Sequence, residues 1–218
     1  MAKPTQPIPF AGAELTRPRH VCAFFNSEDE EYRVLLPFIK AGFDSSHKAV
    51  HVVSPARRTR HVEHLAAFGI DAAAAQDTGQ LKILDSTETY LSGGRFDQDR
   101  MLHTFKSMAG GSADGTYPLS RIVCQMEWAS CHPSCIHDLI EFEARVNDVW
   151  CEHDDAVVCV YDLARFSGDA IVDIMRTHPM IVVGGILQQN PFFVRPQEFL
   201  RELSQRHAEQ ARPPSAAG

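Results

Sequence analysis

The sequence has little of what membrane spans and nucleic-acid-binding faces require. Its longest nearly apolar run, residues 180–187, contains two glycines, whereas a helix that crosses a bilayer needs roughly 20 apolar residues. Basic residues are sparse as well: 28 acidic and 21 basic side chains leave a net charge of −7, and no basic run exceeds the pair Arg57 and Arg58. We therefore expect no membrane span and no direct contact with nucleic acid.

Cysteines are too few for a disulfide framework, with six in 218 residues. Three of them, Cys22, Cys124 and Cys159, fall inside apolar runs, where cysteine usually serves as a small apolar side chain. The N-terminus lacks the continuous hydrophobic core of a signal peptide. We therefore expect a cytoplasmic protein with reduced thiols.

Short apolar runs alternate with amphipathic segments along most of the chain. This rhythm predicts an α/β fold, with a mainly parallel sheet of about six or more strands and helices on both faces. Residues 20–203 are expected to form one domain, between flexible tails at 1–19, which has four prolines, and at 204–218, which is polar and Pro/Ala-rich. The predicted strands are residues 20–25, 49–53, 81–84, 121–126, 156–160 and 180–183.

The first predicted helix has a clear start. Ser27 and Glu30 have the spacing of a capping box, in which the two residues cap each other's backbone amides. Pro37 should bend this helix, and Gly42 should end it. Asp97 is expected to cap a later helix.

The loop after the first strand argues against nucleotide binding. A phosphate loop needs glycines and a Lys-Ser/Thr pair, whereas residues 24–31 contain no glycine and end in four consecutive acids. Such acids also suit the dipole of a helix N-terminus. Phe25, Asn26 and Glu28 are candidate ligand-binding residues in this loop.

Further candidate ligand-binding residues lie just after the later strands. These positions are candidates because ligands of open α/β sheets usually bind beyond the carboxyl ends of the strands. Aromatic walls with a few polar groups are typical of small-molecule sites. His178 is retained as a candidate, although its spacing also fits a role in the core or at a helix end. The candidates after the first loop are Glu127, Trp128, Tyr161, Asp162, His178 and Gln188.

Five runs give the sequence a recognisable family resemblance. They are HVCAFFNSEDEEYRVLLPFIKAG (20–42), ETYLSGGRFDQDRML (88–102), RIVCQMEWA (121–129), EFEARVNDVW (141–150) and DIMRTHPMIVVGGILQQNPFF (173–193). Together they resemble the MEDS family, a methanogen/methylotroph sensory domain named after a dichloromethane-responsive regulator. The resemblance spans roughly residues 20–200.

The resemblance implies a RecA/KaiC-like three-layer sandwich that has lost its phosphate loop and senses small molecules, among them hydrocarbon derivatives. Members are often fused to a DNA-binding or kinase-like signalling module. This sequence contains no such module. We therefore expect its output to pass through a regulatory protein partner, and self-association into a homo-oligomer stays open.

Two groups of possible metal ligands attract attention, but neither predicts a metal site. Cys131, His132, Cys135 and His137 lie before a predicted helix, whereas Cys151 and His153 follow it. About twelve helical residues at roughly 1.5 Å each would separate the groups by nearly 20 Å. A site built from the first group alone stays open. Cys22, Cys124 and Cys159 could act in a redox or soft-metal response only if their strands are neighbours and solvent reaches the thiols. We expect no metal and no cofactor.

No catalytic set of nucleophile, base and orienting acid stands out. The sequence thus favours a non-catalytic sensing domain for an apolar or hydrocarbon-derived ligand, acting in signal transduction or transcription regulation. One alternative is a degenerate ATPase-like module for protein interaction. Another is an unrecognised hydrolase that uses Glu127 or His178.

Overall fold

The computed structural model describes residues 6–131 and 133–210. Among these residues, no helix combines the length and the hydropathy that crossing a bilayer requires. The strands are β1 (Ile8–Phe10), β2 (Ala13–Leu15), β3 (His20–Phe25), β4 (Lys48–Val53), β5 (Leu81–Asp85), β6 (Ser120–Gln125), β7 (Ala156–Asp162), β8 (Met180–Val183) and β9 (Ile186–Gln189). The α-helices are α1 (Glu28–Asp44), α2 (Arg58–Ala67), α3 (Ala72–Asp77), α4 (Ser86–Tyr90), α5 (Gln98–Met108), α6 (Pro133–Trp150), α7 (Gly168–Arg176) and α8 (Pro196–Gln210).

Seven strands form one sheet in the order β5-β4-β6-β7-β3-β8-β9. Every neighbouring pair is parallel except β8 and β9, which are antiparallel. The six parallel strands are those predicted from the apolar runs, and the α/β fold with a mainly parallel sheet is confirmed. Because these strands run the same way, their carboxyl ends meet along a single edge of the sheet.

Side-chain alternation divides the core into two layers, one on each face of the sheet. In β3, Cys22 and Phe24 pack with α4 to α8, whereas Val21 and Phe25 pack with α1 to α3 and the β1–β2 hairpin. The central strands are buried on both faces, so their sequences are mostly apolar and show no alternation that would tell which side each residue faces.

Helix α1 begins after the predicted N-cap residue, Ser27, and runs past its expected end. The Ser27 side chain accepts a hydrogen bond from the Glu30 amide, and Pro37 lies inside the helix. Gly42 was expected to stop the helix, but the helix continues to Asp44. Gly42 instead makes room for a buried arginine, because a Cβ at this position would lie 2.8 Å from Cδ of Arg121.

Both ends of the domain differ from the expected tails. Ile8, Phe10 and Leu15 are buried, and β1 and β2 pair as an antiparallel hairpin. The expectation of a tail up to residue 19 is therefore wrong for this segment, since three apolar side chains among prolines are too short a pattern to predict strands. At the other end, α8 continues beyond residue 203 to Gln210, and residues 211–218 of the expected tail lie outside the described residues.

Candidate functional site

A polar cavity of about 210 Å³ opens at the carboxyl edge of the sheet. We call it the carboxyl-edge pocket. Its walls come from the segments that follow β3, β4, β6 and β7, so four parallel strands contribute to it. Its lining residues are Phe25, Ser27, Glu28, Glu31, Ser54, Ala56, Arg57, Glu127, Asp162 and Arg165.

The loop after β3 is held in place by a carboxylate from the helix that follows it. The Glu30 carboxylate accepts hydrogen bonds from the Asn26 amide at 2.9 Å and from the Asn26 side chain at 3.1 Å. The hydrogen bond from the Asn26 amide lowers the pKa of Glu30. The predicted capping box is therefore half formed: Ser27 accepts from the Glu30 amide, but the Glu30 carboxylate binds Asn26 and not the Ser27 amide.

Arg57 holds the pocket together by bridging two glutamates from different elements. Its Nη2 donates to Oε2 of Glu31 at 2.7 Å, and its Nη1 donates to Oε1 of Glu127 at 2.7 Å. Gln125 donates to the other carboxylate oxygen of Glu31 at 3.0 Å. Burial alone would lower the pKa of Arg57, but Glu31 and Glu127 outweigh it and raise that pKa. The guanidinium therefore stays charged and ties α1 to the segment after β6.

The mouth of the pocket carries a second, more exposed arginine. Arg165 lies 3.3 Å from a carboxylate oxygen of Asp162 and 3.8 Å from one of Glu127. Half of its side chain is exposed, at 52%. Four carboxylates and two arginines line the cavity in all, so the lining carries an excess of negative charge.

The structure brings four of the predicted site residues together and separates the others. Phe25, Glu28, Glu127 and Asp162 line the carboxyl-edge pocket, and Asn26 lies beside it in the helix cap.

The remaining candidates lie elsewhere. Trp128 is buried against Tyr90 and Phe96, with ring centroids 4.7 Å away in each case. Tyr161 and His178 are fully buried on the same side of the sheet as Trp128, and Gln188 is an exposed residue of β9. The position of Tyr161 follows from register, since it pairs with Phe24 and thus faces away from Phe25. Ligand binding by these nine residues stays a prediction.

Sequence reasoning missed six of the lining residues: Ser27, Glu31, Ser54, Ala56, Arg57 and Arg165. Ser54 and Arg57 follow β4, and this loop could have been searched by the same carboxyl-end rule that identified Glu127. The signal for Arg57 was weak because a basic pair that follows a Ser-Pro-Ala turn is typical of a surface loop.

A second group of polar side chains lies inside the layer between the sheet and α6. We call His20, Glu143, Cys159 and His178 the buried cluster; all four are fully buried. One ligand-type atom from each lies within 4.8 Å of the others. Nε2 of His20 is 3.1 Å from Oε2 of Glu143, and Nε2 of His178 is 3.5 Å from the same oxygen.

Neighbouring groups fix the orientation of the buried cluster. The Tyr161 hydroxyl donates to Oε1 of Glu143 at 2.6 Å. Asn147 Oδ1 lies 3.0 Å from Nδ1 of His20, and the Ile174 carbonyl oxygen lies 2.8 Å from Nδ1 of His178. Each imidazole is thus held by one ring nitrogen and points the other at Glu143.

Burial and the neighbouring charges shift the pKa values in the buried cluster in different directions. Burial and the neighbouring His178 lower the pKa of His20, against the opposing effect of Glu143. Burial also opposes a charge on His178, but Cys22 and Glu143 outweigh it and raise its pKa to about 10. Burial and the Glu143 carboxylate raise the pKa of the Cys159 thiol.

A redox or soft-metal response by the three strand cysteines would require neighbouring strands and access of solvent to the thiols. The structure meets the first of these conditions only. Cys22 pairs with Cys159 in the sheet register, and Cys159 pairs with Cys124, so the three lie in one row across β3, β7 and β6. All three are fully buried. Their strands are neighbours as required, but solvent does not reach the thiols in this structure.

The cysteines and histidines on either side of α6 do not come together as a group of metal ligands within the described residues. Cys135 lies in the first turn of α6, and Cys151 follows the last residue of that helix. The His137 ring instead contacts the His207 ring of α8, with centroids 3.9 Å apart. His132 lies outside the described residues.

Two comparisons relate this chain to known proteins, and a third finds no match. The family model MEDS, described as the methanogen/methylotroph, DcmR sensory domain, matches residues 19–179. A solved KaiC-like protein from the hyperthermophilic archaeon Pyrococcus horikoshii OT3 is similar at a TM-score of 0.52 and 16% identity, over 74% of this chain and 68% of that one. At this identity the likeness shows the fold alone, and it agrees with the RecA/KaiC-like architecture. No curated protein matches the chain. Since the family model covers well over half of the chain, the protein belongs to the MEDS family.

Proposed function

We propose that the protein is a non-catalytic sensing domain that binds a small molecule in the carboxyl-edge pocket and signals through a regulatory protein partner. Membership of a sensory-domain family supports the sensing role. The pocket supports the location, because it lies at the carboxyl edge where open α/β sheets bind ligands. The observation that carries the proposal is the bridge from Arg57 to both Glu31 and Glu127 inside this pocket.

The size of the pocket limits the ligand. A volume of about 210 Å³ is below the roughly 300–1,000 Å³ of pockets that hold drug-sized ligands. We infer a ligand of a few carbon atoms, far smaller than a nucleoside triphosphate.

The charge of the pocket limits the ligand further. Both arginines already face carboxylates, and carboxylates outnumber arginines in the lining. A carboxylate or phosphate ligand would meet this excess negative charge. We infer a small hydrocarbon derivative that carries a hydroxyl or an amine, with its apolar part against Phe25 and Ala56.

The Arg57 bridge also suggests how binding is transmitted. A hydroxyl or amine that contacts Glu31 or Glu127 competes with Arg57 for the same oxygen atoms. The bridge connects α1 with the segment after β6, so a change in it alters how these two elements are held together. We infer that the partner recognises this surface in one of the two states.

Calorimetry with a panel of small ligands tests the proposal. The panel pairs alcohols, amines and carboxylates of the same carbon number, and we expect binding by an alcohol or an amine. Glu127→Gln should weaken that binding. Asp173→Asn is the matched control, since the side chains of Asp173 and Glu127 are equally exposed at 14% and both pair with arginine, but Asp173 lies outside the pocket.

The outcomes separate the competing functions. Binding without turnover, weakened by Glu127→Gln and unchanged by Asp173→Asn, supports the sensor. Chemical conversion of a bound ligand would favour the hydrolase alternative. An absence of binding across the whole panel would overturn the proposal and favour the protein-interaction module.

A further inference from the structure

The two imidazoles of the buried cluster direct lone pairs at one carboxylate. The Asn147 amide nitrogen donates to the Thr177 carbonyl at 2.7 Å and contacts two further carbonyls. Asn147 Oδ1 must therefore accept, and Nδ1 of His20 carries the hydrogen. The Ile174 carbonyl likewise assigns a hydrogen to Nδ1 of His178. In the neutral forms, Nε2 of both rings thus carries a lone pair towards Oε2 of Glu143.

This arrangement is unfavourable unless a positive charge lies among these atoms. Nε2 of His20 and Oε2 of Glu143 are 3.1 Å apart, and Nε2 of His178 has no hydrogen-bond partner. One proton on Nε2 of His178, whose pKa is raised, would balance the carboxylate but would leave the lone pair on Nε2 of His20 facing Oε2 of Glu143 at 3.1 Å. Protonating both imidazoles would place two positive charges against one carboxylate in a fully buried space. Uncompensated buried charge is strongly unfavourable.

A divalent metal ion would accept the lone pairs of both imidazoles and balance the negative charges of the cluster. A doubly positive ion bound by the Glu143 carboxylate, the Cys159 thiolate and two neutral imidazoles forms a group with no net charge. Binding requires the Cys159 thiol to lose its proton to solvent, as metal ligands generally do. Glutamate, cysteine and histidine are all established zinc ligands.

The interatomic distances are close to those of a tetrahedral site. With metal–nitrogen and metal–oxygen bonds of about 2.0 Å and a metal–sulfur bond of about 2.3 Å, neighbouring ligand atoms lie roughly 3.3 Å (N···O) and 3.5 Å (S···N or S···O) apart. The structure has N···O distances of 3.1 and 3.5 Å. Sγ of Cys159 lies 3.7 Å from Oε2 of Glu143 and 3.8 Å from Nε2 of His20. These four distances are within about 0.3 Å of the tetrahedral values, and all the ligand atoms lie within 4.8 Å of one another, so a modest contraction of the cluster would complete the coordination.

We propose that His20, Glu143, Cys159 and His178 bind a divalent transition-metal ion of the zinc type in a closed, four-ligand site. The surrounding contacts match those of metal-bound ligands, in which the second nitrogen of each histidine donates to a fixed acceptor and the carboxylate is itself hydrogen-bonded. Asn147, the Ile174 carbonyl and Tyr161 fill these positions.

The proposed site is structural and distinct from the carboxyl-edge pocket. Four protein ligands leave no open position, which is typical of structural zinc sites. The ion links β3, β7, α6 and the turn between α7 and β8. The proposal departs from the sequence-based expectation of no metal, which weighed the Cys131 and Cys151 groups and the strand cysteines but not these four residues together.

Metal analysis of the full chain, purified without chelators, is the first test, and we expect one zinc-type ion per chain. Chain refolded from denaturant with cobalt(II) in place of zinc should show the charge-transfer band of a single thiolate and the visible bands of a tetrahedral ion. Cys159→Ala should abolish the thiolate band. Cys124→Ala is the matched control, since Cys124 is an equally buried cysteine in the same row of the sheet, and it should keep the band.

Two further measurements keep the proposal falsifiable if Cys159→Ala does not fold. X-ray absorption of the wild-type protein should show one sulfur and three nitrogen or oxygen ligands. Asn147→Ala should weaken metal binding about 10–100-fold, as is usual when a group that orients a ligating histidine is removed. A wild-type chain that folds but takes up no zinc or cobalt would overturn the proposal. So would a spectrum that persists in Cys159→Ala and disappears when Cys131 and Cys135 are replaced by serine.

Discussion

The carboxyl-edge pocket and the buried cluster both gather ionisable side chains around glutamate, but they neutralise it differently. In the pocket, Arg57 supplies a permanent positive charge to Glu31 and Glu127. In the cluster, Glu143 faces a thiol and two imidazoles, which carry positive charge only when they are protonated. A glutamate that is already paired with an arginine needs no metal ion, whereas a glutamate surrounded by histidine and cysteine side chains is suited to bind a metal ion.

The two regions also differ in access, which separates their proposed roles. The pocket is open at the sheet edge and is partly lined by exposed side chains such as Arg165. The cluster is sealed between the sheet and α6. A small molecule can exchange with the first region, and an ion in the second stays with the fold.

Removal of Glu143 should have the largest effect on stability. Glu143→Ala leaves the Tyr161 hydroxyl and both imidazoles without their shared partner. We expect a loss of about 3–5 kcal/mol in the free energy of unfolding, as is usual when one member of a buried ion pair is removed. Urea unfolding measures it, with Glu141→Ala on the same helix as control. A loss no larger than that of the control would show that the cluster is not a tightly coupled unit.

Acid should destabilise the protein through His61, a buried histidine that lies outside the buried cluster. Nε2 of His61 lies 2.9 Å from Nδ1 of His51, and Nδ1 of His61 lies 2.8 Å from the Tyr32 hydroxyl. Burial and the nearby Arg57 lower the pKa of His61 to about 4. Between its unfolded pKa of about 6.5 and about 4, the unfolded chain binds a proton that the folded chain excludes, so stability falls as pH falls.

The size of this acid effect can be isolated with one variant. His61→Gln removes the titrating group, so the stability advantage of the wild type over this variant should shrink by about 2 kcal/mol between pH 7 and pH 5. Urea unfolding at both pH values gives the difference. Equal losses in the two proteins would show that His61 does not stay neutral in the fold.

Loss of the pocket bridge should have an intermediate effect. Arg57→Gln leaves two largely buried carboxylates without their cation, and we expect a loss of roughly 1–3 kcal/mol in the free energy of unfolding. Arg60→Gln is the control, because Arg60 is 64% exposed and its contact with Glu28 is longer, at 3.3 Å. Exposed pairs of this kind contribute about 0–1 kcal/mol. Similar losses in both variants would contradict the central place of Arg57 in the pocket.

The sequence predicted the framework and part of the pocket because those features are local. Strand positions follow from apolar runs, and Glu127 and Asp162 follow from the rule that ligands bind beyond strand ends. The side that Tyr161 faces could not be predicted, because strands buried on both faces show no alternation. The buried cluster was missed because its residues come from four elements, and only their packing brings His20 and Glu143, more than a hundred positions apart, into contact.

The smallest effect should come from the loop that replaces a phosphate loop. Glu30→Ala removes the carboxylate that caps Asn26, and we expect a loss of about 1 kcal/mol, as for other helix caps. It should not create a nucleotide site, because residues 24–31 still contain no glycine and no lysine and Glu28 and Glu31 still repel phosphate. Calorimetry with magnesium and ATP should therefore detect no binding in the wild type or in Glu30→Ala. Micromolar ATP affinity in either protein would contradict this account of the loop.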